Sequence, residues 1–139
     1  MRNSRSILLV EDDVVDILTV KRALKRLQID NALVHLKDGE DAMKYLQDKT
    51  NVEPCIIILD LNVPKLNGLE LLKIIKADER LKSIPVVVLT TSEDSRDIEE
   101  SFGMGAAGYV VKPVDFNRIV TVFGTINTYW SVSELPVGR

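Results

Sequence analysis

Residues 55–59, Cys-Ile-Ile-Ile-Leu, carry no charged or hydroxyl side chain, deliver a carboxylate at Asp60, and then break into the turn-rich stretch Leu-Asn-Val-Pro-Lys-Leu-Asn-Gly. A short apolar run without polar alternation is buried on both faces, which in a small chain is the signature of a strand inside a parallel sheet covered by helices on either side. Similar runs occur at 6–10, 32–36, 85–90 and 108–111, and between and after them lie segments of helical period at 14–28, 39–48, 67–78, 94–103 and 115–130. Strands alternating with helices predict crossover units, hence an α/β fold with five parallel strands and helices on both faces. In the first helix Ile17, Val20, Leu24 and Leu27 form one stripe for the sheet, while Lys21, Arg22, Lys25 and Arg26 point elsewhere.

A chain of 139 residues with 45% hydrophobic side chains is expected to build one domain over 1–139, with its core at about 5–130, a tail at 131–139 and no separate output domain. The net charge of −3 offers no basic footprint for nucleic acid, and the basic side chains of 21–27 read as the solvated side of a helix. The basic first six residues precede only four apolar ones before Glu11, too few for a signal peptide or a membrane span, so a cytoplasmic protein is expected. One cysteine, Cys55, and one histidine, His35, supply neither an internal disulfide nor a structural zinc site. His35 stands in an alternating strand and reads as structural, and Cys55 as a small apolar side chain opening a buried strand.

In an open α/β sheet the ligand site lies beyond the carboxyl ends of the strands. Four polar groups fall there: Glu11, Asp12 and Asp13 after the first strand, Asp60 after the third, Thr90 to Ser92 after the fourth, and Lys112 after the fifth. Carboxylates gathered at one edge of an apolar sheet resist ionising together unless a cation lies between them. An oxygen-only donor set favours a hard ion such as Mg2+.

These motifs, with Val-Glu-Asp-Asp closing the first strand, Leu-Asp-Leu-Asn-Val-Pro-Lys-Leu-Asn-Gly, Pro-Val-Val-Val-Leu-Thr-Thr-Ser and Gly-Ala-Ala-Gly-Tyr-Val-Val-Lys-Pro-Val, closely resemble the receiver domains of two-component response regulators. The resemblance covers residues 5 to about 130 and implies a doubly wound, flavodoxin-like sheet of order 2-1-3-4-5. It further implies that Asp60 is the phosphoacceptor, attacking the phosphoryl group of a phosphohistidine on a sensor histidine kinase. By the same likeness Asp12, Asp60 and the backbone carbonyl of Asn62 would hold Mg2+. Glu11 would assist through water, and Asp13 is a weaker candidate. Lys112 would pair with Asp60 and then with the phosphoryl group, and Thr90 would donate its hydroxyl to a phosphoryl oxygen. Tyr109, three positions before Lys112, stands where the family carries its aromatic switch. A cis bond between Lys112 and Pro113 is implied as well, and Pro64 and Gly68 shape the loop after Asp60.

Readout is then expected on the face of helix four, strand five and helix five. Helix five carries Phe116, Ile119, Val120, Phe123, Ile126 and Trp130 as a core stripe, with Val122 and Tyr129 beside it. That width suggests a homodimer through this face, the alternative being that both side chains cover neighbouring loops. The long last helix and the Trp-Ser-Val-Ser-Glu-Leu-Pro that follows are similar to single-domain regulators that partner phytochrome kinases. Val15 and Leu18, off the stripe of helix one, are candidates for a kinase-docking patch, and output would pass to a downstream protein or a phosphotransfer protein.

Other readings compete with this one. Residues 103–108, Gly-Met-Gly-Ala-Ala-Gly, match a dinucleotide fingerprint, but after a helix and before a strand, the reverse of the required context, so they read as a helix stop and turn. A phosphohydrolase of the haloacid dehalogenase type also uses a strand-end aspartate with magnesium, but it needs a second aspartate two residues on, where this chain has Asn62. An amide cannot transfer that proton, so no enzyme is expected beyond slow loss of the protein's own phosphate, tuned by Asn62 and Ser92. A phosphate-independent scaffold would not require Asp12, Asp60, Thr90 and Lys112 together.

Overall fold

The computed structural model describes residues 4–113 and 115–134. The order of elements is β1 (Ile7–Val10), α1 (Val14–Arg26), β2 (Leu33–Leu36), α2 (Gly39–Gln47), β3 (Ile56–Leu59), α3 (Gly68–Ala77), β4 (Val86–Thr90), α4 (Ser95–Gly103), β5 (Gly108–Val111) and α5 (Phe116–Val132). The strands form one parallel sheet in the order β2-β1-β3-β4-β5, so the order reverses at β1 and β3, as the resemblance implied.

The apolar runs divide their side chains between two cores. Leu8 and Val10 of β1, Ile57 and Leu59 of β3, and Val86 and Val88 of β4 face Ala42, Leu46, Leu71, Leu72 and Ile75 of α2 and α3. The alternate positions Ile7, Leu9, Ile56, Ile58, Val87 and Leu89 face Ile17, Val20, Ala23 and Leu24 of α1 and Ile119 and Phe123 of α5. Because consecutive strand residues point to opposite faces, an uninterrupted apolar run is what two helical layers require. Each buried aliphatic side chain contributes roughly 1.5–3 kcal/mol of transfer free energy, which makes the sheet centre the rigid part of the molecule.

Each helix starts on a short polar cap. Asp13, Asp38, Asn67, Asp94 and Asp115 each accept a hydrogen bond from a backbone N–H of the first turn. Residues 103–108 end α4 and turn into β5, with Gly105 at φ 102°, a left-handed conformation that side chains rarely adopt. This is the helix stop expected from the sequence. The last helix departs from expectation: it includes Ser131 and Val132, and Ser133 is its C-cap, so the supposed tail begins later. Its remaining residues 135–139 lie outside the described residues. Val122 packs with Phe116, Val120, Ile126 and Trp130 against the α1–α5 core, whereas Tyr129 is 63% exposed.

Candidate functional site

The hydrogen-bond ladders of the sheet run one residue past the strands and fix the backbone of the candidate site. The N–H of Glu11 donates to Leu36 O (3.0 Å), that of Asp60 to Val10 O (3.0 Å) and that of Lys112 to Thr90 O (2.7 Å). The side chains that β1, β3 and β5 deliver therefore stand on a common edge, each held to a neighbouring strand.

There Lys112, only 8% exposed, places its Nζ 2.6 Å from Glu11 Oε1, 2.7 Å from Asp16 Oδ2 and 3.2 Å from Asp60 Oδ2. The Lys112–Pro113 bond is cis. Burial disfavours the ammonium, but hydrogen bonds to Asp16 and Glu11, with the charges of Asp60 and Glu11, outweigh it and raise its pKa above the ordinary lysine value. Glu11 is buried to 1% exposure, its Oε2 accepting the N–H groups of Asp12 (3.1 Å) and Asp13 (3.2 Å). Burial first, and the charge of Asp60 after it, push its carboxyl up from 4.5 to about 7 against the hydrogen bond from Lys112.

Carboxylate oxygens of Glu11, Asp12 and Asp60 lie within 4.8 Å of one another, two of these residues buried and Asp12 exposed. This donor set fits a hard divalent cation: three carboxylates converge, their ligand atoms are all oxygen, and one of them is open to water. Asp13 is not in this group. Its carboxylate accepts the N–H of Asp16 at 3.1 Å and caps α1.

Asp60 Oδ1 accepts the backbone N–H of Asn62 at 3.0 Å. The Asn62 amide donates to Thr90 Oγ1 (3.3 Å) and Thr91 Oγ1 (3.2 Å), tying the loop after β3 to the end of β4, where Thr90 is fully buried. Ser92 Oγ bonds Asp97 Oδ2 at 2.6 Å, so the hydroxyl faces α4. Tyr109 is half-buried, its hydroxyl donating to Ser92 O at 2.9 Å and its ring centroid 6.5 Å from that of Phe102. Gly68 allows the loop to close on Asp60, since a Cβ there would stand 2.6 Å from Asp60 O and 2.5 Å from Leu61 Cα.

Of the acids foreseen for the edge of β1 and β3, Glu11 and Asp60 stand against Lys112, Asp12 joins them in the carboxylate group, and Asp13 does not. The residue that the sequence reading missed is Asp16, which reaches the lysine from the first turn of α1. His35 remains outside the carboxylate group, its Nε2 2.9 Å from the Glu11 carbonyl oxygen. Cys55 is a buried free thiol. Val14, Val15 and Leu18 are exposed on α1 at 62%, 70% and 48%. No helix among the described residues is long and apolar enough to cross a membrane.

Comparison with known proteins agrees with this fold. The family model described as response regulator receiver domain matches residues 7–123. The chain is similar to the response regulator Rcp1 of Synechocystis sp., 40% identical over 128 residues that cover 89% of this chain and 87% of that protein. Among solved structures it is similar to the Mn2+-bound form of Rcp1 (TM-score 0.84, 38% identity, covering 96% of this chain and 99% of that one). It is similar as well to the phosphorylated cyanobacterial phytochrome response regulator RcpA (TM-score 0.85, 37% identity, with the same coverage). The chain belongs to the family of response regulator receiver domains.

Proposed function

We propose that this protein is a single-domain response regulator that accepts a phosphoryl group on Asp60 from a sensor histidine kinase and signals by contact with other proteins. The observation that carries the reading is the placement of Asp60 at the end of a doubly buried strand, with one buried ammonium and two further carboxylates around it. A carboxylate oxygen of Asp60 attacks phosphorus, the N–P bond of the kinase phosphohistidine breaks, and its electron pair returns to the imidazole nitrogen. Lys112 then turns to the phosphoryl oxygens, and Thr90, once released by the Asn62 amide, donates its hydroxyl to one of them. Asp12 and Asp60, with the backbone carbonyl of Asn62, would hold Mg2+, with Glu11 assisting through water, and the ion would neutralise charge on the transferring group when bound. Tyr109 is the residue through which a change at Thr90 reaches the surface of α4, β5 and α5.

The kinase is of the phytochrome type, a reading supported by the likeness to the phytochrome response regulator RcpA. Val15 and Leu18, exposed on α1, supply its docking patch. Output goes to a downstream protein or a phosphotransfer protein, with no nucleic acid or membrane involved, and the setting is cytoplasmic. A homodimer through α4, β5 and α5 is supported by the exposure of Phe102, Tyr129 and Val132 and by an apolar groove of about 520 Å3 between β5 and α5. The test is incubation with Mg2+ and candidate kinases or a small acyl phosphate, followed by intact-mass analysis. A phosphoryl adduct is expected on the wild type and absent from Asp60→Asn; a wild type that gains none would refute the reading.

Metal binding carries a pH signature. A carboxyl titrating near 7 must lose its proton when a cation draws on it, so Mg2+ affinity is expected to fall about tenfold from pH 8 to pH 6. Calorimetry in two buffers of different ionisation enthalpy should show close to one proton released per ion at pH 6 and little at pH 8. Equal affinities at both values would remove Glu11 from the ion's surroundings.

A further inference from the structure

The contact of Asp16 with Lys112 is not required by a phosphoacceptor site, and its geometry gives it a separate role. An ammonium has three hydrogens, and here three carboxylates share them: Glu11, Asp16 and Asp60. Glu11 and Asp60 also belong to the group suited to a divalent cation, whereas Asp16 does not. When a cation is bound, Glu11 and Asp60 are drawn on from a second side and their attraction for the ammonium weakens. Asp16 keeps its full charge for the lysine. It arises from α1, outside the sheet, and is capped at its N–H by Asp13, so the first turn of α1 sets its position. Behind the pair, Asp16, Thr19, Val20, Leu89, Lys112 and Ile119 enclose a cavity of about 10 Å3, room for one water at most. The lysine stem is therefore packed against α1, with Asp16 at its tip.

We infer that Asp16 is a positioning residue that holds Lys112 toward α1 in the resting, cation-loaded protein and must release it before the ammonium can engage a phosphoryl group. The inference rests on the reading of Asp60 as phosphoacceptor for its kinetic consequence, but the retention of Lys112 by Asp16 is a property of the unphosphorylated protein. Asp16 is 32% exposed, so the bond is partly screened and its release is a modest barrier. Asp16→Asn preserves shape and removes the charge. Uptake of phosphoryl groups from acetyl phosphate at saturating Mg2+ should then accelerate about threefold to tenfold in maximal rate, with the KM for the donor unchanged. Asp16→Glu should return the rate to within about twofold of wild type by restoring the charge. A rate that falls or stays the same in Asp16→Asn, or an Asp16→Glu variant that matches Asp16→Asn, would overturn the inference.

A second measurement needs no phosphoryl transfer. In the Mg2+-saturated protein without donor, the side-chain NH3+ of Lys112 should give a nitrogen-correlated NMR signal with slow hydrogen exchange, and Asp16→Asn should broaden it or remove it. An unchanged signal would exclude retention by Asp16. If the wild type gains no adduct at Asp60 while this signal behaves as expected, the phosphoacceptor reading fails and the retention of Lys112 stands.

Discussion

Replacing Lys112 by methionine is expected to cost the metal-free protein about 3–5 kcal/mol of stability at pH 8, the scale for breaking a buried ion pair by removing one partner. Methionine fills much of the volume of the lysine stem, so the loss is electrostatic. Glu11 and Asp60 remain beneath the surface, at 1% and 7% exposure, without the ammonium at 2.6 and 3.2 Å. The sign with pH follows from Glu11. Its folded pKa, about 7, lies above its ordinary 4.5, so the stability it contributes is complete below pH 4.5 and is lost as pH rises through 7. Lys112 lowers that carboxyl by hydrogen bond and charge; without it the folded pKa climbs further, and the variant's loss is small at pH 5 and large at pH 8. Mg2+ should restore more stability to the variant than to the wild type, because the carboxylates are no longer shared with an ammonium. Urea midpoints at pH 5 and pH 8, with and without Mg2+, would show the pattern. Equal midpoints for the two proteins at pH 8 without Mg2+ would contradict the account of the charge balance.

Much of the architecture is legible in the sequence because it depends on local rules. Doubly buried strands need apolar side chains at consecutive positions, as in Ile56 to Leu59, and a helix packed on the sheet needs an apolar stripe of helical period, as in Ile17, Val20 and Leu24 of α1. The edge of the sheet then follows: whatever stands one residue past β1, β3 or β5 is brought to the same rim. Glu11, Asp60 and Lys112 were legible for that reason. Asp16 was not, because its partner depends on how α1 crosses the sheet, and an acid in the first turn of a helix reads equally well as a complement to the helix dipole. The burial of Glu11 was also hidden. In the chain it is one of three consecutive acids, and only the folded loop shows Glu11 turned inward under the N–H groups of Asp12 and Asp13, with Asp13 serving as cap. The extent of α5 was misjudged because Ser131, Val132 and Ser133 have poor helix propensity. Tertiary context overrides such a preference, as the packing of Trp130 against the α1–α5 core one residue earlier indicates.

The other large effect arises away from the charges. Gly39→Ala is expected to destabilise the protein by about 3 kcal/mol, at the upper end of overpacking penalties. A Cβ at position 39 would lie 1.8 Å from Leu66 O and 2.7 Å from Leu66 C, backbone atoms that cannot rotate away as a side chain could. The N–H of Gly39 donates to Pro64 O at 3.3 Å, and the neighbouring Asp38 pairs with Lys65 at 3.7 Å. Lys65 itself has a left-handed φ of 68°. The start of α2 is therefore docked on the loop that leaves Asp60, and a methyl group there must push that loop outward. Because Asn62, in the same loop, donates its N–H to Asp60 and its amide to Thr90, the displacement reaches the site. Phosphoryl uptake by Gly39→Ala should then be slower than wild type even at a temperature where both are fully folded. Gly103→Ala is the matched control, since nothing lies within 4 Å of a Cβ at that position and its φ is ordinary. It should leave both stability and uptake close to wild type. If Gly39→Ala unfolds at the same urea concentration as Gly103→Ala, the close approach of α2 to this loop does not exist in solution.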